Sequence, residues 1–289
     1  MEQSQKTAVA LGLFDGVHTG HRAVLQAAYQ QKAHGLVPGV FTFRSEMAAK
    51  KGAEYLYTTD QKLWLLKNDC GIELIYAPPF GEVCGMSGEV FAKHVLCERM
   101  QAVYVCCGAD FRFGQGARCG VAELRTLGKR YGFAVEVVDA VCMNGVTVSS
   151  SEIRMALQQG DLQRANLLLG EPYLLLEHVR HGAQLGRTIG FPTANQLFHQ
   201  GQLVPKYGVY VSRTRTPDGW YPSITNIGMK PTVHYDGLPL AETYIDGYTG
   251  DLYGVKLQVV LMEFLREEQK FGSVEELTAQ MQQDIAVCR

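Results

Sequence analysis

The chain has 289 residues, of which 46% are hydrophobic and 19% are charged, and its formal net charge at pH 7 is −2. This length fits two domains of ordinary size, and the composition is typical of a soluble globular protein. A net charge this close to zero gives no general attraction to nucleic acid or to anionic membranes. No apolar run approaches the roughly 20 residues of a membrane-spanning helix. We therefore expect a cytoplasmic protein with no nucleic-acid or membrane partner.

Predicted strands and helices alternate along the first half of the chain. The strands are expected at residues 9–14, 37–43, 72–77, 102–107 and 133–138. The helices are expected at about residues 22–33, 60–69, 88–100, 122–131 and 150–159. We expect Thr59 or Asp60 to cap the second helix and Ser87 to cap the third. This alternation predicts an α/β fold with a parallel, doubly wound sheet, whose ligands bind beyond the carboxyl ends of the strands.

Glycines and two histidines follow the first predicted strand, in the sequence L-G-L-F-D-G-V-H-T-G-H that ends at His21. Glycines let the backbone approach an anion, and the unpaired N–H groups at a helix start bind phosphate. His18 and His21 lie three residues apart at this helix start, so both imidazoles can face one phosphate and stabilise charge on a transferring phosphorus. Two histidines at this spacing can equally be half of a zinc site, and the residues alone leave both interpretations open.

This pattern resembles the signature of the HxGH nucleotidyltransferases. Its F-D-G form is similar to that of the FAD synthetase part of the bacterial bifunctional riboflavin kinase/FAD synthetase family. The resemblance implies a Rossmann-like first domain in which His18 and His21 are catalytic. It also implies nucleotide contacts by five further residues of the segment, namely Gly12, Phe14, Asp15, Gly16 and Gly20.

A second motif, G-A-D-F-R-F-G, covers residues 108–114 directly after the fourth predicted strand. By itself Asp110 either binds a ribose or a flavin or shapes a turn, and the turn is the commoner role of an Asp after a strand. The motif resembles an element of the same family that contacts both nucleotide and flavin. The resemblance therefore implies that Asp110 contributes to binding of both.

A third motif, V-S-S-S-E-I-R, covers residues 148–154 at the start of a predicted helix. Either of the first two serines, with Glu152, explains the motif as a helix cap. Hydroxyl groups and an arginine at a helix start also form an anion site. The motif resembles the superfamily sequence whose serine and arginine hold ATP phosphates. That resemblance implies nucleotide binding by Ser150 and Ser151 and a catalytic role for Arg154.

One segment departs from the family. Relatives commonly have T-F-x-P-H-P after the second strand, whereas residues 42–47 of this chain are T-F-R-S-E-M. The prolines and the histidine are absent, which implies a different loop conformation or a different flavin position there.

Short β segments separated by Gly and Pro make up the second half. They are expected at residues 173–179, 208–214, 221–226, 241–246 and 255–264, with a closing helix at residues 274–286. The pattern predicts a small antiparallel β-barrel with a terminal helix. The helix before it, at residues 161–169, ends at Gly170 with Pro172 just beyond, which is a boundary signal. We therefore expect one domain over residues 1–169 and a second over residues 170–289.

The sequence G-R-T-I-G-F-P-T-A-N, which ends at Asn195, forms the second candidate site. By composition it is a turn, although such a loop can wrap phosphates and the oxygens of Thr193 and Asn195 suit Mg²⁺. It resembles the riboflavin kinase motif in which the threonine and asparagine organise ATP and magnesium. The resemblance implies nucleotide binding by Gly186, Arg187 and Gly190 and metal binding by Thr193 and Asn195.

Five more segments resemble riboflavin kinases in the right order: P-K-Y-G-V-Y, N-I-G-M-K-P-T, A-E-T-Y-I-D, G-D-L-Y-G and F-L-R-E-E-Q-K-F. Glu242 aligns with the family's catalytic glutamate, a carboxylate placed to deprotonate the attacking hydroxyl. Arg266 aligns with an arginine near the flavin, although a surface charge explains it equally well. Glu171, Glu177 and Tyr244 depart from the family, which bears on domain packing or flavin affinity.

The resemblance implies a bifunctional enzyme that phosphorylates riboflavin to FMN and then adenylylates FMN to FAD. Its expected partners are riboflavin, FMN and ATP with Mg²⁺, and we expect a monomer or a weak homo-oligomer. Two alternatives stay open. The first is a kinase whose adenylyltransferase half is weakened by the altered residues 42–47. The second is a flavin-binding or regulatory protein that has lost catalysis.

Overall fold

The computed structural model describes residues 5–45, 54–181, 186, 190–229 and 237–289. The chain divides into two compact units, Met1–Ser150 and Ser151–Arg289. The domain boundary expected after residue 169 stays a prediction. Within the described ranges, none of the helices has the length and apolar character needed to cross a membrane.

The first unit is built on a parallel sheet with the strand order β3-β2-β1-β4-β5, which confirms the predicted α/β architecture. Its elements in chain order are β1 (Thr7–Leu11), α1 (Thr19–Gln30), β2 (Val37–Phe41), α2 (Thr59–Asn68), β3 (Leu74–Tyr76), α3 (Phe80–Val83), α4 (Gly88–Val90, continuing as a π-helix over Phe91–Arg99), β4 (Ala102–Gly108), α5 (Val121–Tyr131), β5 (Ala134–Val138), β6 (Cys142–Met143) and β7 (Val146–Thr147).

The strand order reverses at the centre of this sheet, where β1 pairs with β2 on one side and with β4 on the other. At such a point the connections leave neighbouring carboxyl ends in opposite directions and open a crevice for a ligand. All five residues of β1 are buried, as expected for a parallel strand covered on both faces. The segments that follow Leu11 and Gly108 therefore border one crevice.

Helix α2 is held at its first turn by a capping box. The hydroxyl of Thr58 accepts from the backbone N–H of Gln61 at 3.2 Å, and the Gln61 side chain accepts from the N–H of Thr58 at 2.9 Å. The prediction that Thr59 or Asp60 caps this helix was wrong. The Thr59 hydroxyl instead accepts from the backbone N–H of Ser45 at 2.9 Å, which joins α2 to the loop after β2.

The second unit contains an antiparallel sheet with the strand order β8-β13-β10-β11-β12-β9. The elements after β7, in chain order, are α6 (Ser150–Gln159), α7 (Leu162–Leu169), β8 (Tyr173–His178), β9 (Thr193–Leu197), β10 (Gly208–Thr216), β11 (Gly219–Gly228), β12 (Leu240–Ile245), β13 (Lys256–Arg266) and α8 (Val274–Cys288). The backbone N–H of Arg180, just beyond β8, donates to the carbonyl of Asn195 in β9 at 2.9 Å. The two edges of the sheet therefore meet, which confirms the predicted barrel and its terminal helix.

Strand β9 corrects one expectation. The predicted loop ends at Asn195, but Thr193–Leu197 form a strand that pairs with β12 and places Asn195 opposite Glu242. Pro192 and the glycines before it hide the strand, because they are turn residues in any sequence pattern.

The capping box of α2 gives the first prediction. The substitution Thr58→Ala removes the hydroxyl that accepts from the backbone N–H of Gln61, which should destabilise the first turn of α2 by about 1 kcal/mol. We expect hydrogen–deuterium exchange in peptides covering that turn to be about fivefold faster. The matched control is Thr126→Ala, at an exposed position inside α5. Equal exchange in Thr58→Ala and the wild type would contradict the role of the box.

Candidate active sites

A strained turn follows β1. The strand ends at Leu11, earlier than predicted, and the backbone φ angles are +52° at Phe14, +88° at Gly16 and +45° at Val17. Left-handed backbone at a bulky or β-branched residue is a genuine outlier and costs about 1–3 kcal/mol. Such strain is characteristic of functional sites and persists only where the surroundings hold it in place.

Contacts from distant segments hold this turn. The Asp15 carboxylate accepts from the backbone N–H of Leu56 at 2.9 Å, and the Asp15 carbonyl accepts from the Ser150 hydroxyl at 2.8 Å. A Cβ atom on Gly16 would lie 2.6 Å from Leu56 Cδ1, and one on Gly12 would lie 2.9 Å from Phe14 Cζ. The structure therefore gives these predicted nucleotide residues a role in shaping the turn, while their contacts to nucleotide stay a prediction.

The two predicted catalytic histidines lie together at the start of α1. His18 is the N-cap, and its Nδ1 accepts from the backbone N–H of His21 at 3.2 Å. The two rings are stacked, with centroids 3.5 Å apart and an interplanar angle of 17°. A Cβ atom on Gly20 would lie 3.3 Å from the His18 ring, so glycine there leaves room for the stack. Since Nδ1 of neutral His18 accepts a hydrogen bond, its proton must be on Nε2, which is a donor.

His21 is held in the neutral form. Burial lowers its pKa well below the ordinary value of 6.5, and the nearby His18 and Lys62 lower the pKa further. Its Nδ1 is buried and has no hydrogen-bond partner among the described residues. The ring also meets Phe14 edge to face, with centroids 5.3 Å apart. Two neutral imidazoles can donate N–H groups to a phosphate without being cations themselves.

Sequence reasoning missed Lys62, which points to the same turn from α2. The side chain is buried, and its Nζ donates to the carbonyl of Leu13 at 3.1 Å and to the carbonyl of Phe43. The Thr42 hydroxyl donates to the same Leu13 carbonyl at 2.8 Å. The sequence does contain a signal, because Lys62 lies at helical spacing from buried Leu65 and Leu66 and so belongs to the inward face of α2.

The remaining predicted residues of the first candidate site lie on two elements. Asp110 follows β4 on the border of the crevice, in a turn closed by the Phe111 N–H and the Gly108 carbonyl at 3.1 Å, and its side chain is exposed. Arg154 lies on α6, where its guanidinium donates to the Ser151 hydroxyl at 3.2 Å. Their roles toward nucleotide and flavin stay predictions.

In the second unit, strand register brings three polar residues into one row. Asn195 of β9 lies opposite Glu242 of β12, which in turn lies opposite Asn226 of β11. Directly opposite residues of antiparallel strands project from the same face of the sheet. The neighbouring residue Thr243 is fully buried on the other face, whereas Glu242 is half-buried. The predicted base and one predicted metal ligand therefore share a face.

The predicted magnesium ligands fit a hard cation. Asn195 is 5% exposed, and its side-chain oxygen is buried without a hydrogen-bond partner among the described residues. Thr193 and Asn195 line a cavity that is also bordered by Asp251. A buried amide oxygen left unpaired is costly, and a cation would satisfy it. In the described part of the chain, no cluster of three or more His, Cys, Asp or Glu side chains is arranged to hold a metal.

The glycine-rich loop before β9 is described only in part. The carbonyl of Gly186 accepts from the N–H of Phe191 at 2.8 Å, and a Cβ atom on Gly186 would lie 2.3 Å from the Phe191 carbonyl oxygen. Gly190 has a φ of +86°, in the left-handed region. Arg187 lies outside the described residues, so its predicted nucleotide contact stays a prediction.

Arg266 lies at the end of β13 and is bound within the second unit. Its guanidinium forms a two-pronged ion pair with Asp284 of α8, with Nη2 2.7 Å from Oδ2 and Nε 3.1 Å from Oδ1. Nη1 donates to the carbonyl of Glu267. Arg266 therefore holds the terminal helix through Asp284, while its contact with flavin stays a prediction.

The neutral state of His21 gives the second prediction. Because its pKa in the folded state lies below 6.5, protonation opposes folding, and the contribution of His21 to stability falls as the pH drops below that value. Imidazole ¹⁵N NMR should show His21 neutral at pH 6, with its signals assigned by their loss in His21→Asn. An imidazolium signal for His21 at that pH would contradict the prediction.

Two family models match this chain. The FAD synthetase model matches residues 1–152, and the riboflavin kinase model matches residues 169–289. The bifunctional riboflavin kinase/FMN adenylyltransferase of Escherichia coli (strain K12) is 35% identical over 288 residues, which cover 97% of this chain and 91% of that protein. The protein of the same name from Haemophilus influenzae is 32% identical over 293 residues, which cover 99% of this chain and 94% of that protein.

A solved structure also matches the whole chain. The crystal structure of a protein described as a macrolide-efflux protein from Streptococcus pneumoniae superposes with a TM-score of 0.83 at 28% identity, covering 100% of this chain and 95% of that chain. The identity to the curated relatives extends over nearly their full length, and each half of the chain matches its own family model. The chain therefore belongs to the bifunctional riboflavin kinase/FMN adenylyltransferase family.

Proposed function

We propose that this chain transfers the γ-phosphoryl group of ATP to riboflavin, giving FMN, and then joins FMN to the AMP part of a second ATP, giving FAD and pyrophosphate. The observation that carries the proposal is that each unit has its own candidate phosphate site, in the half matched by the corresponding family model. The stacked histidines lie in the first unit and the Asn195–Glu242 pair lies in the second.

In the kinase step, the carboxylate of Glu242 accepts the proton of the ribityl 5′-hydroxyl as the hydroxyl oxygen attacks the γ-phosphorus and ADP leaves. The pairing of Glu242 with Asn195 across strands β12 and β9 supports this role, because Asn195 is expected to organise the phosphates. Thr193 and Asn195 would hold Mg²⁺, which when bound neutralises charge on the phosphates. The side-chain oxygen of Asn195 supports this Mg²⁺ site, because it is buried and has no hydrogen-bond partner among the described residues.

In the adenylyl transfer, a phosphate oxygen of FMN attacks the α-phosphorus of ATP and pyrophosphate leaves. His18 and His21 donate N–H groups to the charge that develops there, and the N–H groups at the start of α1 add to the effect. We also propose that Arg154 supplies a cation to this charge. Orientation and electrostatic stabilisation are sufficient for this transfer, so it requires no covalent enzyme intermediate.

The domain boundary proposed after residue 169 is supported by Gly170, which ends α7 in the left-handed conformation, and by the riboflavin kinase match that begins at residue 169. We also propose that the protein works in the cytoplasm, as a monomer or a weak homo-oligomer. The near-neutral net charge supports the absence of nucleic-acid partners.

The third prediction tests both activities together. The pure protein is incubated with riboflavin, ATP and Mg²⁺, and the flavins are separated by chromatography over time. We expect FMN first and FAD after it. FMN without FAD would retain the kinase and reject the adenylyltransferase half, which would point to the altered residues 42–47. Riboflavin that binds but is not converted would favour the flavin-binding alternative.

The fourth prediction isolates the proposed base. Glu242→Gln should lower kcat for riboflavin phosphorylation by about 10²–10⁴-fold, because the amide cannot accept the proton. The same preparation should make FAD from supplied FMN at the wild-type rate, which serves as the internal control for the first unit, and hydrogen–deuterium exchange in β9 and β12 should match the wild type. The matched control is Glu263→Gln, at an exposed position on β13. Unchanged kinase turnover in Glu242→Gln would make the assignment wrong.

A further inference from the structure

Helix α2 carries two lysines in opposite environments. Lys62 is 1% exposed, whereas Lys67 lies one turn further along and is exposed. Burying an ammonium group is unfavourable unless polar partners replace its water. Lys62 finds such partners in the backbone carbonyls of Leu13 and Phe43. An apolar side chain would pack α2 without this desolvation cost, so the buried ammonium group of Lys62 points to a role other than packing.

The two carbonyls belong to loops that leave neighbouring strands. Leu13 follows β1 and directly precedes the left-handed Phe14, while Phe43 follows β2 in the segment that departs from the family pattern. Strands β1 and β2 are parallel and in register up to their last residues, Leu11 and Phe41. A single ammonium group therefore joins two loops at the carboxyl edge of the sheet, where ligands bind in this architecture.

We propose that Lys62 is a positioning residue for adenylyl transfer, whose ammonium group fixes the loop that carries His18 and residues 42–45 after β2 in one relative arrangement. This proposal rests on the proposed adenylyltransferase activity and on its histidines. One loop presents the imidazoles to the nucleotide, and the other is expected to position the flavin. The ammonium group thus sets the distance between the two substrates.

The surroundings of Lys62 support this role. The Thr42 hydroxyl donates to the same Leu13 carbonyl at 2.8 Å, so both loops meet at one acceptor. The capping box at Thr58 fixes the first turn of α2, from which Lys62 projects. The positive charge of Lys62 is also one of the causes that lower the pKa of His21, after burial and the neighbouring His18.

The fifth prediction compares Lys62→Met with Lys67→Met in the full-length chain. Adenylyl transfer is measured with FMN and ATP, and riboflavin phosphorylation in the same preparation serves as an internal control. We expect Lys62→Met to lower kcat for FAD formation by about 100-fold, the loss typical of a displacement of about 1 Å. KM for ATP should change much less, because the phosphate-binding groups remain. Lys67→Met should behave as the wild type.

A milder variant separates positioning from folding. Lys62→Gln keeps a hydrogen-bond donor but loses the charge. We expect a smaller fall in kcat for FAD formation than in Lys62→Met, with hydrogen–deuterium exchange in β1 and α1 matching the wild type. A wild-type kcat for FAD formation in either folded Lys62 variant would overturn the proposal. So would a fall in kcat that occurs only together with faster hydrogen–deuterium exchange in β1 and α1, because it would reflect unfolding. A wild-type protein that makes no FAD would instead reject the proposed function itself.

Discussion

A turn of left-handed backbone between Phe14 and Val17 is the constraint on which the first site depends. Its conformation is unfavourable in isolation, so it exists only because bonds from elsewhere in the unit outweigh the strain. These bonds come from the loop after β2 through Thr42, from α2 through Lys62, and from the start of α6 through Ser150. The turn ends where α1 begins, so the same bonds also determine where both imidazoles and the first N–H groups of the helix point.

In the second unit, the strand register of β12 determines where the Glu242 carboxylate points. A slip of one residue along β12 would exchange Glu242 for Thr243 and send the carboxylate into the barrel. The barrel interior opposes such a slip, because its buried hydroxyl groups bond to one another at 2.8–2.9 Å. These hydroxyls belong to Ser212, Thr214, Ser223, Thr225 and Thr243. A buried polar network of this kind tolerates only one arrangement, since any other leaves groups unpaired.

The sequence predicts what depends on local chemistry and misses what depends on partners far along the chain. Alternating apolar patterns identify the parallel sheet and the barrel because hydrophobic periodicity follows directly from the geometry of strands and helices. Strand β9 is missed because Pro192 gives a local turn signal, while the pairing with β12 that overrides it is distant. Lys62 is missed because a lysine on a helix is ordinarily exposed, and its two carbonyl partners lie 49 and 19 residues away.

The electrostatics of the first site keep its buried histidine neutral. Two charged imidazoles with centroids 3.5 Å apart would repel each other by about 5 kcal/mol at an effective dielectric constant near 20. Together with burial, this repulsion keeps His21 neutral, as its lowered pKa indicates. Lys62 contributes to the same effect, since its positive charge is held nearby by the carbonyls of Leu13 and Phe43 and lowers the pKa of His21 further. The imidazoles are therefore kept as neutral N–H donors by groups of the protein itself, before any substrate arrives.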